Sequence, residues 1–268
     1  MSTITISRGS YSRGKEIAEK VAEKLGYKCI ARETVIEASE QFHIPEIKLV
    51  RAIHDAPSIL DRFGYRKEKY IARIQVALLR HVKKDNIVYH GLAGHFLLEG
   101  IPHVLKVRII SDMEDRIALE MEREKISREE AQRILKSDDE QRHKWSQYLF
   151  GIDTTDPSLY DIVLHIGRIT VADAVDVICH TAGLPHFRTT AKYQKILEDH
   201  LLASEVKAAL IDMKPDIDVS ANDGIVLVNT RAQVSQEEHL VHKIREIGES
   251  IPGVKGIRVN TRPPKTLG

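Results

Sequence analysis

The stretch SRGSYSRGKEIAEKVAEKLGY, residues 7–27, decides how the first part of this chain is read. Gly9 is followed by four residues and then by Gly14-Lys15, the spacing of a GxxxxGK phosphate loop. Residues 2–6, with Ile4 and Ile6, read as a short strand before it. After it, Ile17, Ala18, Val21, Ala22 and Leu25 recur at steps of three and four, which predicts a helix over 15–25, stopped by Gly26. The loop therefore lies between a strand and a helix, the context the spacing requires. In such a loop, backbone N–H groups of Gly9, Ser10, Tyr11, Ser12, Arg13 and Gly14 converge on phosphate oxygens, and the helix N-terminus adds positive partial charge. Lys15 adds a full charge. The next position usually carries a hydroxyl for magnesium and here is Glu16, which either reaches a metal through water or sits in the first helical turn, where the dipole favours it. The plainer alternative is a tight turn with an exposed lysine.

Working outward, helices are expected at 34–53 and 66–83, and strands at 86–94 and 103–110. DMEDRIALEMEREK (112–125) reads as a helix, and Ser127 with Glu130 forms a capping box that opens another over 128–149. YDIVLHI (160–166) reads as a strand and 170–184 as a helix stopped by Gly183 and Pro185. Strands alternating with helices predict an α/β fold with a mostly parallel sheet. Residues 186–195 lack periodicity and read as a linker. Beyond it come a helix with Leu202, Val206, Ala209 and Met213 on one face, a strand at 217–221, the hairpin signal Asn222-Asp223-Gly224, a second strand, a capping box at Ser235 and Glu238, a helix and a third strand. The expected division is 1–185, a linker at 186–195 and a small α+β unit at 196–268.

The 268 residues carry 40 basic and 39 acidic side chains, so no global attraction to nucleic acid or anionic membrane is expected. No stretch approaches the length of an apolar membrane span. Two distant cysteines, Cys29 and Cys179, make no disulfide framework. No basic region followed by an apolar core marks a signal peptide, and the cytoplasm is the expected location. The histidines show no zinc-ligand spacing.

ITISRGSYSRGKEIAEKVAEKLGY resembles the opening of the cytidylate kinase-like family, in which a glutamate after the basic residue of the loop is normal. The resemblance continues through ARETVIEAS, with Arg32 matching and Ala31 in place of an acid, through KVRIISDMEDRI, and through DDEQRHKWSQYLFGIDTTDPSLYDIVLHI, including Asp139, Arg142, Gly151, Asp153, Asp156, Pro157, Tyr160 and Asp161. It covers about residues 3–182 and departs at Tyr89-His90-Gly91, where the family often has Gly-Arg-Gly, and at His165-Ile166, where it has Asn-Thr. The resemblance implies a P-loop kinase sheet, ATP and Mg2+, and a nucleotide or similar small acceptor. The C-terminal part, with ASEVKAAL, IDVSANDGIVLVNTRAQVSQEE and IPGVKGIRVN, resembles a BON domain, which implies a binding module for a small-molecule or protein ligand.

Nucleotide kinases carry lid arginines that stabilise the transferring phosphoryl group. Arg142 shares a helix face with Ala131, Ile134, Leu135, Trp145 and Leu149, with Asp139 in reach for an ion pair, and Arg123 precedes that helix. Lys15, Arg123 and Arg142 are therefore the candidate catalytic residues, and 9–16 the nucleotide-binding loop. Arg62 and Arg66 are candidates for an acceptor phosphate. Two functions stay open at this point. One is ATP-dependent phosphoryl transfer. The other is a regulator that binds nucleotide without turnover and signals through the C-terminal unit, a reading motivated by Glu16, His90 and His165.

Overall fold

The computed structural model describes residues 2–8, 12–31, 66–91 and 93–263. The expected helix at 34–53, Arg32, Arg62 and loop residues 9–11 lie outside them, as does the side chain of Arg66. The described residues divide into two compact units. One contains the N-terminal segment and residues 84–189, and the other joins residues 63–83 to 190–268.

The first unit is built on five parallel strands in the order β2-β3-β1-β4-β5. They are β1 (Thr3–Arg8), β2 (Lys28–Ala31), β3 (Ile87–His90), β4 (Val104–Ser111) and β5 (Ile162–Ile166). β1 lies at the centre, and its residues Thr3, Ile4, Thr5 and Ile6 are buried on both faces, as a strand covered on two sides must be. Ile4 and Ile6 join Ile17, Ala18 and Val21 of helix α1 (Gly14–Leu25) in one apolar core. Gly26 ends α1 in the left-handed region and returns its N–H to the carbonyls of Ala22 and Glu23.

The run expected as a strand over 86–94 stops at His90. Ala93 takes a left-handed conformation and opens the single-turn helix α2' (Gly94–Leu97). After β4 come α3 (Met113–Glu124) and α4 (Arg128–Phe150), which share a small core of Ile117, Ala131 and Leu135. Ser127 caps α4 by accepting from the Glu130 N–H at 3.2 Å. Helix α5 (Val171–Ala182) follows β5 and closes this unit, its start fixed by a reciprocal Thr170–Asp173 capping box.

In the second unit, β6 (Asp218–Asn222), β7 (Ile225–Arg231) and β8 (Gly256–Arg262) form a sheet in that order. The β6–β7 hairpin turns through Asp223 and Gly224, both at positive φ, which is the conformation an Asp-Gly turn supplies. Helices α6 (Ala191–Leu210) and α7 (Glu237–Glu249) cover its inner face with Leu202, Val206, Leu210 and Ile244. Two expectations change here. The linker at 186–195 is largely structured: a 3-10 turn at Pro185–Phe187 leads to Thr190, whose hydroxyl caps α6. Its first turn is polar, so it carries no apolar period. The box expected at Ser235 and Glu238 does not form, because a 3-10 turn at Val234–Gln236 places the N-cap at Gln236 without a side-chain bond.

The helix at Arg66–Val82, here α8', belongs to this second unit rather than to the first. It packs against α6. Lys69 and Arg73 reach Asp212 at 2.6 and 2.9 Å, Arg80 reaches Glu205 at 2.8 Å, and Lys83 reaches Glu198 at 3.5 Å. Residue numbers rise along one helix as they fall along the other, so the pair is antiparallel, with the cations on or just past α8' and the acids on or just past α6.

Candidate active site

The carboxyl ends of parallel strands are where open α/β sheets bind ligands. Here Ser7 and Arg8 end β1, and Arg108, Ile110 and Ser111 lie along the later part of β4. With Ser12, Ala93, His95, Arg116, Asp139 and Arg142 they line a cavity of about 210 Å³. Four guanidinium groups and one carboxylate face this space, so it selects for anions.

Ser12 sits at the entry to α1, fully buried, and its hydroxyl donates to the Ile109 carbonyl at 3.2 Å. Arg13 follows in the left-handed region and serves as the N-cap residue without a side-chain cap bond. A Cβ on Gly14 would stand 2.7 Å from Cβ and Cδ of Arg8, so the absence of a side chain there is what lets Arg8 cross the start of the helix. Lys15 is more than half exposed and lies 3.8 Å from Glu19. Glu16 lies in the first turn, paired with Lys20 at 2.8 Å and near Arg13 at 3.6 Å, so it takes the helix-dipole role.

Arg142 donates to the Arg8 carbonyl at 3.4 Å, which brings α4 to the end of β1. Asp139, within reach of Arg142 on its own helix, receives Arg116 from α3 at 2.7 Å. The reason is tertiary: α3 lies along α4, and Arg116 is nearly buried between them, so its carboxylate partner comes from the neighbouring helix. Arg123 does not line the cavity. It remains on α3, held by Glu120 and Glu124 at 3.0 and 2.8 Å.

The cavity wall is braced by Tyr160. Its hydroxyl donates to the Thr154 carbonyl at 3.0 Å, accepts from Arg108 at 3.1 Å, and meets His95 Nε2 at 3.2 Å. Burial, with the charges of Arg108 and Lys106, holds the His95 pKa down to about 3, so the ring is neutral at ordinary pH. Asp153 and Asp156 organise the adjoining loop by accepting from Thr155 and Ser158 N–H groups at 2.8 Å each. Asp161 ties β5 to β4 through the Lys106 N–H, also at 2.8 Å.

A second cavity of about 410 Å³ lies beside Arg13, between one face of α3 and the start of α5. Ala118, Leu119, Ile166 and Val171 give it apolar walls, and Asp115, Glu122 and Thr170 give it polar groups. Neither departing histidine lines either cavity. His90 is buried at the end of β3, and His165 is exposed on β5 with Nε2 3.3 Å from Asp112.

Arg8, Arg108, Arg116 and His95 were not singled out from sequence. A charged residue inside the apolar run HVLKVRII was the available signal for Arg108. Nothing local distinguishes Arg116 from its neighbours on α3.

A phosphate-loop position between β1 and α1, on a five-stranded parallel sheet flanked by helices, defines a P-loop kinase-like α/β protein. Residues 3–168 match the Cytidylate kinase-like family, and the chain belongs to it. A cytidylate kinase from Methanosarcina acetivorans is 30% identical over 100 residues, which are 37% of this chain and 54% of that protein. The chain thus spans about half the length of this curated relative. The crystal structure of an uncharacterized protein from Eubacterium ventriosum superposes with a TM-score of 0.54 at 19% identity, covering 68% of this chain and 97% of the other, which is a likeness of fold. Among the described residues, no helix is long and apolar enough to cross a membrane.

Proposed function

We propose that the chain transfers the γ-phosphoryl group of ATP to a nucleotide or similar small acceptor. The observation that carries this reading is the arginine-lined cavity at the ends of β1 and β4, beside the N-terminus of α1. ATP phosphates would lie on the loop 9–16, with N–H groups at the start of α1 and Lys15 turned inward from its exposed rotamer. The cavity beside Arg13 has the mixed apolar and polar walls that suit a heterocyclic base and its sugar. Arg8, Arg108 and Arg142 would hold the oxygens of the transferring group and of the acceptor, and Arg116 is fixed beside them by Asp139. An oxygen of the acceptor attacks the γ-phosphorus in line, the bond to the β-phosphate oxygen breaks, and ADP carries away the electron pair. No covalent enzyme intermediate is needed, because positioning and charge stabilisation supply the catalysis.

Among the described residues no group of three or more His, Cys, Asp or Glu side chains forms a metal site. Magnesium would be carried mainly by phosphate oxygens and water, as that ion commonly is. When bound, it would neutralise charge on the β- and γ-phosphates.

Glu16 occupied by Lys20, and Lys15 directed along the helix, favour a second reading: nucleotide binding without turnover. Incubation with ATP-Mg and a panel of nucleoside monophosphates separates the two. ADP formation that depends on one acceptor supports transfer, whereas tight ATP binding with no ADP from any acceptor supports the regulator. In an active protein, Arg142→Ala should lower kcat by about 10²-fold while moving ATP affinity less. Loss of thermal stability with kcat unchanged would make Arg142 a structural residue.

The C-terminal unit has the element order α-β-β-α-β, in keeping with the BON-like reading, and its proposed role is to bind a ligand. Cytoplasmic location remains part of the proposal.

A further inference from the structure

Residues 191–262 carry ten basic and eleven acidic side chains, an average that conceals how they are distributed. On β7 and β8, alternate residues point away from the helices. Register places Leu227 opposite Arg258, Asn229 opposite Asn260, and Arg231 opposite Arg262 on that outer face. Asn260 donates to Asn229 at 3.2 Å. Several other cations of the unit are paired: Lys195 holds Asp223, Lys214 holds Asp216, and Arg73 and Arg80 of α8' reach Asp212 and Glu205. Among the described residues no ion pair engages Arg231, Arg258 or Arg262. Like charges directly opposite across two strands are destabilising. Positive charge on β8 is explained by its place at the sheet edge, where it discourages strand pairing. Arg231 stands on the central strand, and edge protection does not explain it.

Next to this cluster the face forms an open depression of about 470 Å³, floored by Ile225 and Leu227 and edged by Ser220, Asn222 and Arg258. Ile225 is 40% exposed. Asp223 also borders it, but Lys195 neutralises that carboxylate. Asp218 is the remaining acid of the face, on β6 beside Asn229. At about 6.6 Å per outward residue, Ile225 to Arg231 spans about 20 Å. The strip is therefore apolar at one end, amide-lined in the middle and doubly cationic at the other.

We infer that this outer face is a second anion site, which binds a nucleoside polyphosphate. The base rests on Ile225 and Leu227, Arg258 meets the first phosphates, and Arg231 with Arg262 clamps the terminal one. Single-stranded nucleic acid is a poorer occupant, because the face has no aromatic side chain on which bases could stack. A lipid surface is also a poorer occupant, because Ile225 and Leu227 are the only apolar side chains of β7 and β8 on this face.

The test is hydrogen exchange on the full chain with ATP as the probe, with AMP as the short-chain control. ATP should protect residues 225–231 and 256–262, and AMP should do so at least tenfold more weakly. R231S/R262S should weaken that protection at least tenfold, with circular dichroism unchanged, because two charge-assisted contacts are lost. Protection near residues 12–25 reports the first unit separately, so failure of the kinase reading and failure of this one are distinguishable. The inference is overturned if ATP leaves 225–231 and 256–262 unprotected, if R231S/R262S protects them as the parent does, or if they respond only to phosphatidylglycerol vesicles or to a single-stranded RNA.

Discussion

Acid should weaken the first unit through one histidine, and replacing that histidine should reverse the order of stability. His95 is 3% exposed, and its pKa is about 3 in the folded chain against 6.5 in an unfolded one. The folded state therefore refuses a proton that the unfolded state accepts. The stabilisation is complete above pH 6.5 and is lost progressively as pH falls toward 3, at about 1.36 kcal/mol per pH unit. Over the whole window this reaches about 5 kcal/mol, an appreciable part of a typical domain's stability. His95→Phe removes the titration and keeps a flat ring beside Phe96 and Tyr160, whose centroids lie 3.8 and 4.7 Å from the histidine ring. It gives up the bond to the Tyr160 hydroxyl, at a cost of about 1 kcal/mol. The variant should thus be less stable than the parent at pH 7.5, equal to it near about pH 6, and more stable by about 2 kcal/mol at pH 4.5. Urea unfolding followed by tyrosine fluorescence at several pH values measures the difference. Parallel pH profiles for the two proteins between pH 7.5 and 4.5 would refute the reasoning, since other acid-sensitive groups are common to both.

Gly94→Ala should destabilise the first unit by about 2–3 kcal/mol, because its Cβ would stand 2.6 Å from the Tyr89 ring and press on the Thr5 hydroxyl; thermal unfolding reads the loss. Cutting the chain after Thr189 should yield an aggregating product, because α8' would lose the α6 surface that covers it; size-exclusion chromatography showing a clean monomer with cooperative unfolding would contradict this. Asp212→Asn should weaken the α8'–α6 pair by about 1 kcal/mol at neutral pH. The Asp212 carboxyl is held below its ordinary value chiefly by the Lys69 hydrogen bond, so the effect should vanish as pH falls through its folded-state value, which denaturation at graded pH checks.

Local signals carried much of this protein. The apolar run of β1, the stepped face of α1 and the stop at Gly26 are short-range features, and each appears close to its expected place. The same holds for the Asp223-Gly224 hairpin, where backbone conformation follows from two adjacent residues. Family membership was also legible, because it rests on ordered motifs along the chain. What sequence spacing could not supply was the choice among partners distant in the chain. Packing of α3 on α4 brings Arg116 to Asp139 from 23 residues back, a pairing that no local spacing marks. Arg123 meets Glu120 and Glu124 on its own helix, contacts that its place before α4 did not announce. The helix at 66–82 was recognisable by its period, but an amphipathic face does not name what covers it, and charge complementarity with α6 drew it into the second unit. Helix formation and turns depend on a few neighbouring residues, whereas ion pairing and burial depend on which surfaces the chain brings together, and only the tertiary structure decides that.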